Sequence, residues 1–235
     1  MIAFATLSAS AQNGIVVFQT DFGTKDGAVS AMKGVASSVN ANLKLYDLTQ
    51  EIPAYNIWEA AYRLDQTVIY WPAGTVFVSV VDPGVGTTRK SVVVKTKSGH
   101  YIVTPDNGTL TLIEQSLGID SIREIDEVNN RRKNSGASYT FHGRDVYAYT
   151  AARLAAKKIS FEQVGPIVNT PVVSIAFQKA SLQDNQLKGT IAILDIQYGN
   201  IWTNIHQDYW KKFLKIGVCL IVVHFYRRLL EELSH

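Results

Sequence analysis

Cysteine is all but missing from this chain, with Cys219 the only one in 235 residues. That excludes a disulfide within the chain, a thiolate metal cluster and a dithiol redox pair, and it leaves the redox compartment open. Charge is thin as well. Charged residues make up 18% of the sequence and the net charge is +3, with lysines and arginines dispersed, so neither nucleic acid nor a membrane surface is indicated as a partner. The apolar run from Lys215 to Phe225 is too short to cross a bilayer as a helix. Also lacking are a phosphate-binding P-loop, zinc-ligand spacing, a Gly-x-Gly-x-x-Gly fingerprint and any internal repeat, which removes the main support for nucleoside-triphosphate and NAD chemistry.

What is present is a chain with 46% hydrophobic residues, longer than one average domain and able to bury a sizeable core. From Ile15 it alternates strand-like and helix-like blocks: strands over 15–19, 43–48 and 75–81, helices over 28–39 and 57–69. Repeated βα units imply an α/β fold with a mostly parallel sheet and helices on both faces. A hairpin over 91–95 and 101–103, a short helix over 110–117, and a helix over 147–157 follow. The polar stretch 129–138 lacks a period, so it reads as an exposed loop with solvated arginines. The expected division is a leader over 1–12, an α/β domain over 13–165, a linker over 166–186, and a β domain over 187–235 whose strand 187–194 ends on Asp195. In the leader, Ala9-Ser10-Ala11 fits a signal-peptidase site, but a basic start is lacking; export and a plain leader on a cytoplasmic chain both stand.

Three places concentrate chemistry. The strand ending at Val81 runs into Asp82-Pro83-Gly84-Val85-Gly86, and Arg89 follows in the same loop. Beyond the carboxyl end of a strand in an open sheet is where ligands bind, though a strand-end Asp also caps its own turn. His142, in Phe141-His142-Gly143-Arg144-Asp145, stands just before a helix start. There it suits a general base or an anion contact, or else a structural histidine. Asp195, with Tyr198-Gly199-Asn200 after it, repeats the acid-at-strand-end device.

Together with Thr20-Asp21-Phe22-Gly23 and Pro105-Asp106-Asn107-Gly108, these motifs stand in an order and spacing that resembles the S-adenosylmethionine hydroxide adenosyltransferase family, the hydrolytic relatives of fluorinase and chlorinase. The resemblance runs from about Ile15 to Ile205. It implies a large N-terminal α/β domain, a small β-barrel-like C-terminal domain, and a homotrimer with sites at subunit interfaces. It implies attack of water on the 5′-carbon of S-adenosylmethionine, releasing methionine and adenosine, with no cofactor and no metal. The family's water-handling set falls on Asp82, Arg89 and His142. Substrate contacts fall on Asp21 for the ribose hydroxyls, on Tyr55 as an aromatic wall, and on Asn107, Phe141, Asp195, Tyr198 and Asn200. Asp82, Val85 and Gly143 stand where fluorinase has Tyr, Thr and Ser around its halide, which favours hydrolysis. After Ile205 the chain departs from the family pattern, and the C-terminal domain reads as truncated or frame-altered. An S-adenosylmethionine or adenosine binder without turnover, and a nucleoside hydrolase or phosphorylase, are the other readings.

Overall fold

A computed structural model describes residues 12–84, 86–136 and 140–215. Residues 1–11 of the leader, Val85, Tyr139 and the apolar run after Lys215 lie outside the described residues. Two compact units divide at Ile175 and Ala176.

In the first unit, β1 (Ile15–Thr20), β2 (Lys44–Thr49), β3 (Val76–Val80), β4 (Ser91–Thr96), β5 (Tyr101–Pro105) and β6 (Ile119–Glu124) make one sheet in the order β2-β1-β3-β5-β4-β6. The pairs β1–β2, β1–β3 and β3–β5 are parallel, whereas β4 runs antiparallel to both β5 and β6. The expected hairpin is the β4–β5 pair, closed opposite Lys95 and Tyr101. The edge strand β6 was not anticipated, because Ile-Asp-Ser-Ile-Arg-Glu has too few apolar residues to read as a strand on its own.

Alternation along the central strands sends side chains to two cores. Val16, Phe18, Val76, Val78 and Val80 pack with Met32 and Ala36 of α1 (Ala28–Val39), while Val17 and Phe77 pack with Leu64 and Val68 of α2 (Ile57–Val68). Each of these burials except that of Ala36 contributes roughly 1.5–3 kcal/mol, so the sheet is held from both faces. α3 (Thr111–Ser116) joins the second core through Ile113. α4 (Glu127–Asn130) is a single turn capped by Asp126, whose side chain accepts from the Val128 amide. The helix expected over 147–157 begins earlier, as a π-helical segment Gly143–Ala148 that passes into α5 (Tyr149–Ala155).

Strand order 2-1-3 places a topological switch between β1 and β3, and the carboxyl ends of β1, β3 and β5 share one edge of the sheet. That edge is where an open α/β sheet opens a crevice for a ligand.

The second unit contains two two-stranded antiparallel sheets, β7 (Ser181–Gln183) with β8 (Gln186–Lys188) and β9 (Ile191–Asp195) with β10 (Asn200–Thr203), followed by α6 (Gln207–Leu214). Among the described residues no closed barrel forms. The single strand expected over 187–194 is two strands with different partners. The break falls at Gly189-Thr190, where the Thr190 amide donates to Asn204 Oδ1 at 2.7 Å and a Cβ on Gly189 would lie 2.5 Å from Ile205. No helix among the described residues is long and apolar enough to cross a membrane.

Candidate active site

The loop after β3 is built around an ion pair. Asp82 Oδ1 lies 3.2 Å from Arg89 Nη1, its side chain fully buried and that of Arg89 about one-third exposed. The same oxygen accepts the Gly84 amide at 2.7 Å, and the Thr87 amide closes the turn onto the Gly84 carbonyl. Asp82 therefore does cap its own turn, as a strand-end Asp commonly does, but with one oxygen only. Oδ2 is buried and has no hydrogen-bond partner among the described residues. A buried carboxylate oxygen left so calls for a guest, since desolvating it unpaired is costly.

Both glycines of the turn are needed where they stand. A Cβ on Gly84 would meet the Arg89 guanidinium at 3.1 Å and Asp82 Oδ1 at 3.2 Å. Gly86 has φ +80°, and a Cβ there would lie 2.8 Å from His142 Cε1. The turn thus lies against the Asp82–Arg89 pair at one glycine and against the His142 imidazole at the other, which brings the three candidate water-handling residues around one loop.

His142 is 2% exposed and immediately precedes the π-helical segment. Single turns of π-helix inside a helix frequently mark functional sites. The ring Nε2 lies 3.0 Å from Arg131 Nη2 and 3.7 Å from Glu127 Oε2, and Arg131 and Glu127 are themselves ion-paired four residues apart. The expectation that the arginines of 129–138 are solvated holds for Arg132, which is exposed, and is corrected for Arg131. The Arg131 side chain is only 10% exposed, and Asn130 is buried with its amide on the Gln163 and Val164 carbonyls. Beneath the loop, the Tyr147 hydroxyl is 2.8 Å from Ser91 Oγ. Burial pushes its pKa well above the ordinary tyrosine range, and the negative charges of Asp82 and Glu127 add to that.

The other candidates of the first unit gather at the same sheet edge. Asp21, just past β1, accepts the Tyr55 amide on Oδ2 at 2.8 Å. Tyr55 holds a left-handed φ of 63°, strained for an aromatic residue, and its side chain is exposed. Next to Asp21, Phe22 meets Phe141 edge-on with centroids 5.7 Å apart, and Arg144 lies over the Phe141 ring. Gly143 fits between the two rings, since a Cβ there would be 3.1–3.2 Å from both. Asn107 is turned to internal use: its Nδ2 donates to the Val81 carbonyl and its Oδ1 accepts from the Thr109 amide and hydroxyl. It ties the loop after β5 to the end of β3, directly before Asp82.

In the second unit, Asp195 ends β9 and accepts the Trp202 indole N–H at 3.2 Å and the Tyr198 amide at 3.4 Å. Tyr198 and Asn200 are exposed. Glu127, Arg131 and Tyr147 were missed as site residues. Only the short spacing between Glu127 and Arg131 could have hinted at a pair, and nothing local to them points to His142.

Residues 16–165 match the SAM hydroxide adenosyltransferase N-terminal domain. An (R)-S-adenosyl-L-methionine hydrolase of Methanocaldococcus jannaschii is 39% identical over 198 residues, covering 83% of this chain and 68% of that protein. A fluorinase of Actinopolyspora mzabensis is 29% identical over 229 residues, covering 86% of this chain and 75% of that protein. A crystal structure of an uncharacterized conserved protein from Thermotoga maritima superimposes with a TM-score of 0.79 at 37% identity, over 87% of this chain and 75% of that one. The chain belongs to the SAM hydroxide adenosyltransferase family.

Proposed function

We propose that this protein hydrolyses S-adenosyl-L-methionine to adenosine and L-methionine. The oxygen of water bonds to the ribose 5′-carbon, the C–S bond breaks with its electron pair passing to sulfur, and one proton leaves the water. A sulfonium is already a good leaving group, so the protein's work is to hold the nucleophile in line and favour its deprotonated form. The observation that carries this reading is the Asp82–Arg89 pair, its carboxylate buried, one oxygen committed to the turn and the other without a hydrogen-bond partner among the described residues. In that arrangement Arg89 stabilises developing negative charge on the water, and Asp82 Oδ2 takes or holds its proton. His142 supplies a hydrogen bond from the opposite side of the turn.

Asp21 keeps lone pairs beyond the one given to Tyr55, enough to accept the ribose diol, and the exposed Tyr55 ring offers a π-face to the sulfonium. Phe141 adds to the same wall. Asn107 acts by holding the Val81 carbonyl and so the approach to Asp82. Asp195, with Tyr198 and Asn200 in its loop, takes the methionine ammonium and the polar edge of the ligand. No cofactor enters the reaction. The second unit corresponds to part of a barrel-like domain, and the assembled form is a homotrimer, which light scattering measures. Incubation with S-adenosylmethionine followed by chromatography tests the reaction. Adenosine and methionine in equal amounts are expected, and binding without products, or release of free adenine, would contradict it.

A further inference from the structure

Arginine carries five N–H donors and no acceptor, so a guanidinium nitrogen 3.0 Å from His142 Nε2 can only donate. His142 Nε2 must then offer its lone pair, and the single ring proton of the neutral imidazole belongs on Nδ1. Arg131 does not choose this geometry by accident of a mobile side chain. It is 10% exposed and ion-paired with Glu127, the first residue of the one-turn helix α4 that Arg131 directly follows, and Glu127 itself stands 3.7 Å from Nε2. The pair grips one edge of the imidazole while the Gly86 backbone lies against another, leaving no room for a side chain.

We propose that Arg131, held by Glu127, is a positioning residue that locks His142 in the Nδ1–H tautomer, so that His142 serves the reaction as a hydrogen-bond donor and not as the base that takes the proton of water. The proposal rests on the hydrolase reading and refines it: with Nε2 occupied, the proton of water passes to Asp82, the carboxylate with an uncommitted oxygen. A tautomer fixed from behind is the second partner's usual contribution to a functional histidine, and losing it costs rate more than affinity.

Two measurements on the full chain separate this from a merely structural role. In the ¹⁵N-labelled protein without substrate, two-bond ¹H–¹⁵N correlation spectra, with the His142 signals assigned by their loss in His142→Gln, are expected to show Nδ1 protonated in the wild type. In Arg131→Met, which keeps the bulk and removes the donors, the signals are expected to shift toward the Nε2–H form. In turnover of S-adenosylmethionine, Arg131→Met is expected to lower kcat by roughly 10–100-fold with KM within about twofold, and Arg131→Lys, which restores a donor, is expected to recover most of it. A wild type protonated at Nε2, an unchanged tautomer in Arg131→Met, or equal losses in the Met and Lys variants would overturn the proposal. Because the spectra need no substrate, the expected tautomers in a chain that releases no adenosine would count against the hydrolase reading and leave the histidine assignment in place.

Discussion

Two acids end two strands, and each is followed by a glycine-containing turn, yet the molecule treats them differently. Asp82 leaves β3, a central strand covered on both faces, and its side chain is fully buried against Arg89. Asp195 leaves β9, one strand of a two-stranded ribbon, and is half-exposed among the side chains of its own hairpin. The local sequence device is the same, and the depth of the strand that carries it decides whether the carboxylate stays partly open to water or is fully buried. In the proposed reaction it is the buried one that acts on the nucleophile, because charge interactions are stronger away from water.

The contrast predicts different kinetic signatures. The largest effect belongs to Asp82→Ala and Arg89→Ala, each expected to lower kcat roughly 10²-fold or more with little change in adenosine affinity; steady-state kinetics with calorimetric binding checks this. Next is Gly86→Ala. Its positive φ and the approach to His142 should destabilise the fold by about 1–3 kcal/mol and lower turnover with it, measurable by denaturant unfolding. Tyr147, beneath the buried acid, has a pKa raised in the folded state. Its contribution is present below the unfolded value and lost as pH rises, so stability should fall by about 1.4 kcal/mol per pH unit above about pH 10. Tyr147→Phe should flatten that alkaline limb in thermal melts. The smallest effect is at Asp195, the half-exposed acid. Asp195→Ala should cost under about 1 kcal/mol of stability and raise KM for S-adenosylmethionine while leaving kcat in place, and a drop in kcat like that of Asp82→Ala would erase the distinction between the two loops.

Much of the fold was legible because its signals are local. The period of Val29, Met32, Val35 and Ala36 marks α1 to its ends, and the β-branched runs mark β1, β3 and β4 within a residue or two. The strands carrying Asp21, Asp82 and Asn107 were legible too, and parallel pairing then brings their ends to one edge. What stayed hidden depends on partners far along the chain. β6 is a strand because β4 pairs with it. The break at Gly189 answers to Ile205 and Asn204. Arg131 sits in a polar, aperiodic stretch that looks solvated, and its burial is set by His142, which a different segment delivers.

The central claim is that water attacks the 5′-carbon, and isotope labelling tests it most directly. Turnover of S-adenosylmethionine in H₂¹⁸O, with the products read by mass spectrometry, should give adenosine carrying one ¹⁸O at its 5′-hydroxyl and methionine carrying none. Unlabelled adenosine, label on another product, or no adenosine at all would contradict the account.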